Sequence, residues 1–138
     1  MKTYVLAITL LILATACRKD PLEGIERATG EGIAGKWLLV ERGDWNGKSY
    51  TYPIPLNPPQ TLVFQKDSTL LATGVELRDY ASVRLYATNN RYLYLDRLPV
   101  DSSAANGWNQ QSYRVRNDTL QINPPCDEGC PYWFIRIQ

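Results

Sequence analysis

Three cysteines and no histidine set the chemistry open to this chain of 138 residues. Without an imidazole it lacks the commonest general base, the side chain that titrates near neutral pH and the most frequent metal ligand. Cys126 and Cys130 stand in the turn-rich stretch Pro124-Pro125-Cys126-Asp127-Glu128-Gly129-Cys130-Pro131. Two thiols with no further Cys or His nearby do not complete a tetrahedral zinc sphere. Their spacing is one residue wider than a thioredoxin-type C-x-x-C, and no βαβ pattern surrounds them, which argues against a redox pair. The nucleophile elbow G-x-S-x-G, the phosphate-binding glycine loop and H-E-x-x-H are missing. Asp127 and Glu128 are adjacent, but an exposed acidic turn is the ordinary meaning of such a pair. The expectation is a protein that is not an enzyme, with no catalytic residue, no metal and no cofactor.

The third thiol, Cys17, has a different setting. Lys2 supplies one positive charge, Tyr4 to Leu13 is almost wholly apolar, and Ala14-Thr15-Ala16 are the small residues a signal peptidase needs before a cut. The run is too short for a spanning helix of roughly twenty apolar residues before it meets Arg18, Lys19 and Asp20. The layout resembles a bacterial lipoprotein signal, which implies that residues 1–16 are removed and that Cys17 is coupled to diacylglycerol, its freed amine then taking a palmitate-type acyl chain. Several chains together give a stable membrane anchor where a single one does not. Acylation of Cys17 also accounts for the odd cysteine and leaves Cys126 and Cys130 to form a disulfide in an oxidising compartment.

Removing the leader leaves about 120 residues, enough for one domain with a modest core. The chain has 15 Lys and Arg against 14 Asp and Glu, so losing Lys2 balances the two. A nucleic-acid partner calls for a basic surplus or stripe, and neither is visible. Residues 17–33 read as a lipidated N-terminus and flexible tether, rich in charge and glycine. Residues 34–138 read as short strands separated by turns: Lys36–Arg42, Lys48–Pro53, Gln60–Lys66, Thr69–Gly74, Tyr80–Ala87, Arg91–Arg97, Ser112–Arg116, Thr119–Asn123 and Tyr132–Gln138. Asp67-Ser68, Asn89-Asn90 and Asn117-Asp118 mark hairpins, the asparagines tolerating positive φ. No convincing amphipathic helix interrupts them. An antiparallel meander of this kind loses its exposed edges by closing into an up-and-down β-barrel.

Alternation sorts the side chains. Leu62 with Phe64, Val83 with Leu85, Leu93 with Leu95, Tyr113 with Val115 and Leu120 with Ile122 share faces that should point inward. Arg84, Tyr92, Tyr94, Arg114 and Arg116 should point outward. In the last strand both Tyr132/Phe134/Arg136 and Trp133/Ile135/Ile137 are candidates for the inner face.

Gly35-Lys36-Trp37 looks like the G-x-W signature of lipocalins. More closely, the chain resembles the small lipocalin-like lipoproteins of Gram-negative envelopes. It shares with them the acylated cysteine, the hairpin Leu62-Val63-Phe64-Gln65-Lys66-Asp67, the hairpin from Tyr113 to Leu120, and the terminal C-x-x-G-C that precedes Phe134-Ile135-Arg136-Ile137. Ser68 stands where that hairpin usually has Gly, and the loop from Pro99 to Asn109 has no counterpart. The resemblance implies an all-β, lipocalin-like barrel of about eight strands with Arg136 stacked over Trp37 at a closed end. It implies a lipid-anchored protein of the bacterial cell envelope, held at the outer membrane.

Two uses of such a barrel follow. A hollow one binds a small hydrophobic ligand lined by Leu62, Phe64, Val83, Leu85, Leu93 and Leu95. A filled one works through its outer surface on an envelope protein, such as a cell-wall hydrolase, with Tyr92, Tyr94, the arginines and Trp108 as anchors.

Overall fold

The computed structural model describes residues 22–45, 48–97, 110–126 and 130–138. The leader, Cys17, the loop from Pro99 to Asn109 with Trp108, and the pair Asp127/Glu128 lie outside the described residues. Nine strands form one sheet: β1 (Gly35–Trp45), β2 (Ser49–Pro53), β3 (Thr61–Phe64), β4 (Leu70–Thr73), β5 (Val83–Thr88), β6 (Tyr92–Arg97), β7 (Gln110–Arg116), β8 (Thr119–Asn123) and β9 (Tyr132–Ile137). A 3-10 helix, Val75–Tyr80, follows β4.

All pairings between strands are antiparallel, and the order β4-β3-β1-β9-β8-β7-β6-β5 is that of an up-and-down barrel. Its two end strands meet at a single bridge between Thr69 and Leu85, next to the bond that the Tyr86 amide donates to the Ser68 carbonyl at 2.8 Å. The barrel is therefore nearly closed by eight strands. The ninth, β2, is an offshoot: β1 is long enough to pair β3 along Gly35 to Leu38 and β2 along Glu41 to Trp45.

The turns use the residues the sequence offers, in two different ways. Asn117 takes φ 54° and Ser68 φ 70°, so a serine fills the left-handed position usually given to glycine. Asp67 supports that turn by accepting the Thr69 amide at 3.0 Å, a contact that holds its carboxyl below the usual carboxylate range. Asn89-Asn90 departs from expectation, for neither residue has positive φ. The Asn89 side chain instead accepts the amides of Arg91 and Tyr92 at 2.9 and 2.7 Å, an Asx turn that adds to the backbone bond from the Asn89 amide to the Tyr92 carbonyl at 3.0 Å.

The interior is apolar and packed. Trp37, Leu39, Leu62, Leu77, Tyr80, Leu93, Leu120, Ile122, Tyr132 and Phe134 have no exposed surface at all. Each such side chain contributes about 1.5–3 kcal/mol by leaving water. Leu85 is the exception among the residues expected inside: it is 47% exposed. The cause is a bulge in β5, where the register shifts between Val83 and Leu85 and reverses the faces beyond it. Tyr86 takes the inward place, its ring edge-on to Phe64 with centroids 4.9 Å apart and its hydroxyl donating to the Gln65 carbonyl at 2.7 Å.

The 3-10 helix fills the gap between the two stretches that read as strand, Thr69–Gly74 and Tyr80–Ala87, and takes Tyr80 from the second. Gly74 turns the chain at φ 116°, where a β-carbon would collide with the Gln60 amide, and the Gln60 side chain accepts the Glu76 amide at 2.9 Å. Leu77 and Tyr80 then drop into the barrel mouth.

Candidate functional site

At one end of the barrel Arg136 lies over Trp37, its guanidinium carbon 4.2 Å from the ring centre. Arg136 is only 4% exposed. It donates to the carbonyls of Gly32, at 2.6 Å, and Ala34, while the indole N–H of Trp37 donates to the Ile33 carbonyl at 2.7 Å. Burial pulls the guanidinium pKa down. The glycine of G-x-W now has a physical reason. Gly35 has φ 139°, and a β-carbon there would press into the Arg136 guanidinium. In β9 it is Tyr132, Phe134 and Arg136 that face the core, which settles the parity left open by the sequence.

Part of the segment read as a tether meets the barrel here, its described residues from Glu26 to Ile33 docking before β1. Ala28 donates its amide to the Arg136 carbonyl at 3.1 Å, Arg27 forms a bridge with Ile137 and an ion pair with Asp118 at 3.1 Å, and Ile33 is buried in the core. A buried guanidinium needs acceptors, and this segment brings them.

At the other end the helix forms a plug. Arg42 of β1 reaches Glu76 at 3.0 Å and lies 5.0 Å from the centre of the Tyr132 ring. Tyr80 stands edge-on to Tyr132 at 5.9 Å and donates to the buried Gln111 side chain at 2.7 Å. Desolvation by burial opposes the charge on Arg42, but the neighbouring Tyr132, Tyr52 and Glu76 outweigh it and push its pKa up. Burial pushes the Tyr132 phenol up as well, Arg42 opposing. This cluster was not legible in the sequence.

Between these plugs the described core side chains pack against one another. Of the residues expected to line a pocket, Leu62, Phe64, Val83, Leu93 and Leu95 are between 0 and 4% exposed. A void large enough for water would leave them accessible surface. The grooves lie on the barrel's flanks instead. One of about 650 Å³ runs along the β4/β5 seam past Leu71, 50% exposed, and Leu85. Another, of about 490 Å³, is lined by Gly43, Thr51, Asn123, Pro131 and Trp133. Cys126 and Cys130, in the link from β8 to β9, lie at disulfide-bonding distance with Cα atoms 6.2 Å apart. On the outer surface Arg84, Arg114 and Arg116 are exposed and Tyr94 is 39% exposed, as alternation predicts. Comparison with family models, with curated proteins and with solved structures finds no match to this chain.

Proposed function

We propose that this chain is a non-catalytic binding module of the bacterial envelope, tethered through a lipid on Cys17, that acts through its outer surface and encloses no small hydrophobic ligand. The observation that carries the reading is the filled interior, where Leu62 and Leu93 have no accessible surface and both barrel ends are plugged. A hydrophobe would have to displace well-packed side chains, each stabilising the fold by about 2 kcal/mol. The tether rests on the leader Lys2 to Ala16 followed by Cys17. The docked segment from Glu26 to Ile33 then leaves only a short stretch between lipid and barrel, holding the module close to the membrane.

A fluorescent fatty acid titrated into the chain from Arg18 onward tests the surface reading. The expected signal rises without saturating. Saturable one-to-one binding that is lost on Leu93→Trp would return the function to the interior. Mass spectrometry of the membrane fraction tests the tether, the expected product being a triacylated peptide starting at Cys17; a chain that keeps Met1, or a free thiol at Cys17, would remove it.

A further inference from the structure

The groove beside Trp133 is built from an aromatic wall, an oriented amide and neutral hydroxyls. Trp133 stands on the outer face of β9 between Gln121 of β8 and Glu41 of β1, and it is only partly buried. The floor is Gly43, whose amide donates to the Pro131 carbonyl at 2.7 Å. A β-carbon at Gly43 would come within 2.6 Å of the Pro131 ring, so glycine is what lets Pro131 lie this close and keeps the floor low. Thr51 stands opposite Gly43 on β2, with Ser49 and the half-exposed Tyr50 on the same rim.

Asn123 faces this floor from β8. Its side-chain oxygen accepts the Gln121 amide at 2.9 Å and its nitrogen donates to Ser112 at 3.3 Å. Those two bonds fix the amide plane and leave one N–H for a ligand. Among the described residues, none of those lining the groove carries a charge. These residues supply no positive charge for a phosphate or carboxylate, and their hydroxyls and amide suit a ligand with hydroxyls of its own better than an acyl chain.

We infer that this groove binds a neutral oligosaccharide. A sugar ring has an apolar C–H face that lies flat on an indole and a rim of hydroxyls that suits an amide and threonine or serine side chains. The groove's volume is that of a small-molecule site. This inference rests on the reading that the barrel works through its outer surface, and it names the ligand class for that surface.

The test is calorimetry on the full-length chain in detergent with tetrasaccharides of N-acetylglucosamine and of glucose. At least one should bind saturably at one site. Trp133→Ala should weaken that binding about tenfold or more, the loss expected for one well-placed contact. Thr51→Arg should do the same from an exposed position on β2, so the test stands even if Trp133→Ala fails to fold. Thr88→Ala, exposed on β5, should bind like the parent chain. Failure of both sugars to saturate, or unchanged affinity in Thr51→Arg, overturns the inference. That failure differs from the failure of the surface reading, which shows as a fatty acid entering the barrel.

Discussion

The two ends of the barrel are closed by the same pair of groups, an arginine laid on an aromatic ring, but they hold the arginine differently. Arg136 over Trp37 is almost fully buried and bonded to main-chain carbonyls of the segment that precedes β1. Arg42 over Tyr132 is about a quarter exposed at its side chain and paired with Glu76 on the 3-10 helix. Carbonyl dipoles are fixed by the covalent chain and do not titrate, whereas a carboxylate partner is screened by salt and neutralised by acid. One end is thus a permanent seal and the other a plug whose strength depends on solution conditions.

The comparison is tested most severely at Arg136. Arg136→Ala removes charge-assisted bonds to two carbonyls and the stacking on Trp37, and should cost about 3 kcal/mol or more. Arg136→Lys should recover only part, because an ammonium cannot fork to both carbonyls from above the ring. Denaturant midpoints measured beside those of Arg42→Ala decide the matter; equal losses at the two ends would remove the distinction.

Gly35→Ala comes next, with an expected loss of about 1–3 kcal/mol from the positive φ and the crowding against Arg136. Introduced together with Arg136→Ala it should cost clearly less than the sum, since the crowding is gone. Strict additivity would mean that Gly35 serves the turn alone and not the arginine.

At the plugged end, Glu76→Gln should cost only about 0.5–1 kcal/mol, the scale of a partly exposed ion pair. In about 1 M salt that loss should fade, the Debye length having shrunk to about 3 Å. The loss at Arg136→Ala should persist in the same salt.

The unequal legibility of these ends has the same physical root. The stacking of Arg136 on Trp37 was what the family resemblance implied, while alternation alone left the face of Arg136 open until the pairing of β1 with β9 placed it. Arg42, Glu76 and Tyr132 meet only because a 3-10 helix folds back across the mouth, and six residues of 3-10 helix leave no periodicity to read. Leu85 failed for a related reason: a bulge is one extra residue, and a strict alternation of faces cannot register it. The Trp133 groove escaped because Gly43 of β1, Asn123 of β8 and Pro131 just before β9 are far apart in the chain, and only the register of β9 against β1 and β8 brings them to one floor.

The smallest expected effects separate two phenols at the plugged end. Tyr80→Phe removes the donor to Gln111 in a buried setting and should cost about 1 kcal/mol. Tyr132→Phe should cost nothing measurable at pH 7, within about 0.5 kcal/mol, because the Tyr132 hydroxyl is buried without a hydrogen-bond partner among the described residues and the ring that carries Arg42 is kept. Its effect should emerge in alkali. Burial, opposed by Arg42, raises the folded pKa of Tyr132 above the unfolded value of about 10. The stability this group contributes is therefore complete below that pH and is lost as pH rises toward the folded pKa, while the unfolded chain releases its proton first. Tyr52 and Tyr86 are raised in the same direction by burial and share that alkaline fall. Unfolding free energies measured from pH 7 to 11 should accordingly fall less steeply for Tyr132→Phe than for the parent chain, and parallel curves would mean that Tyr132 ionises as freely in the folded barrel as outside it.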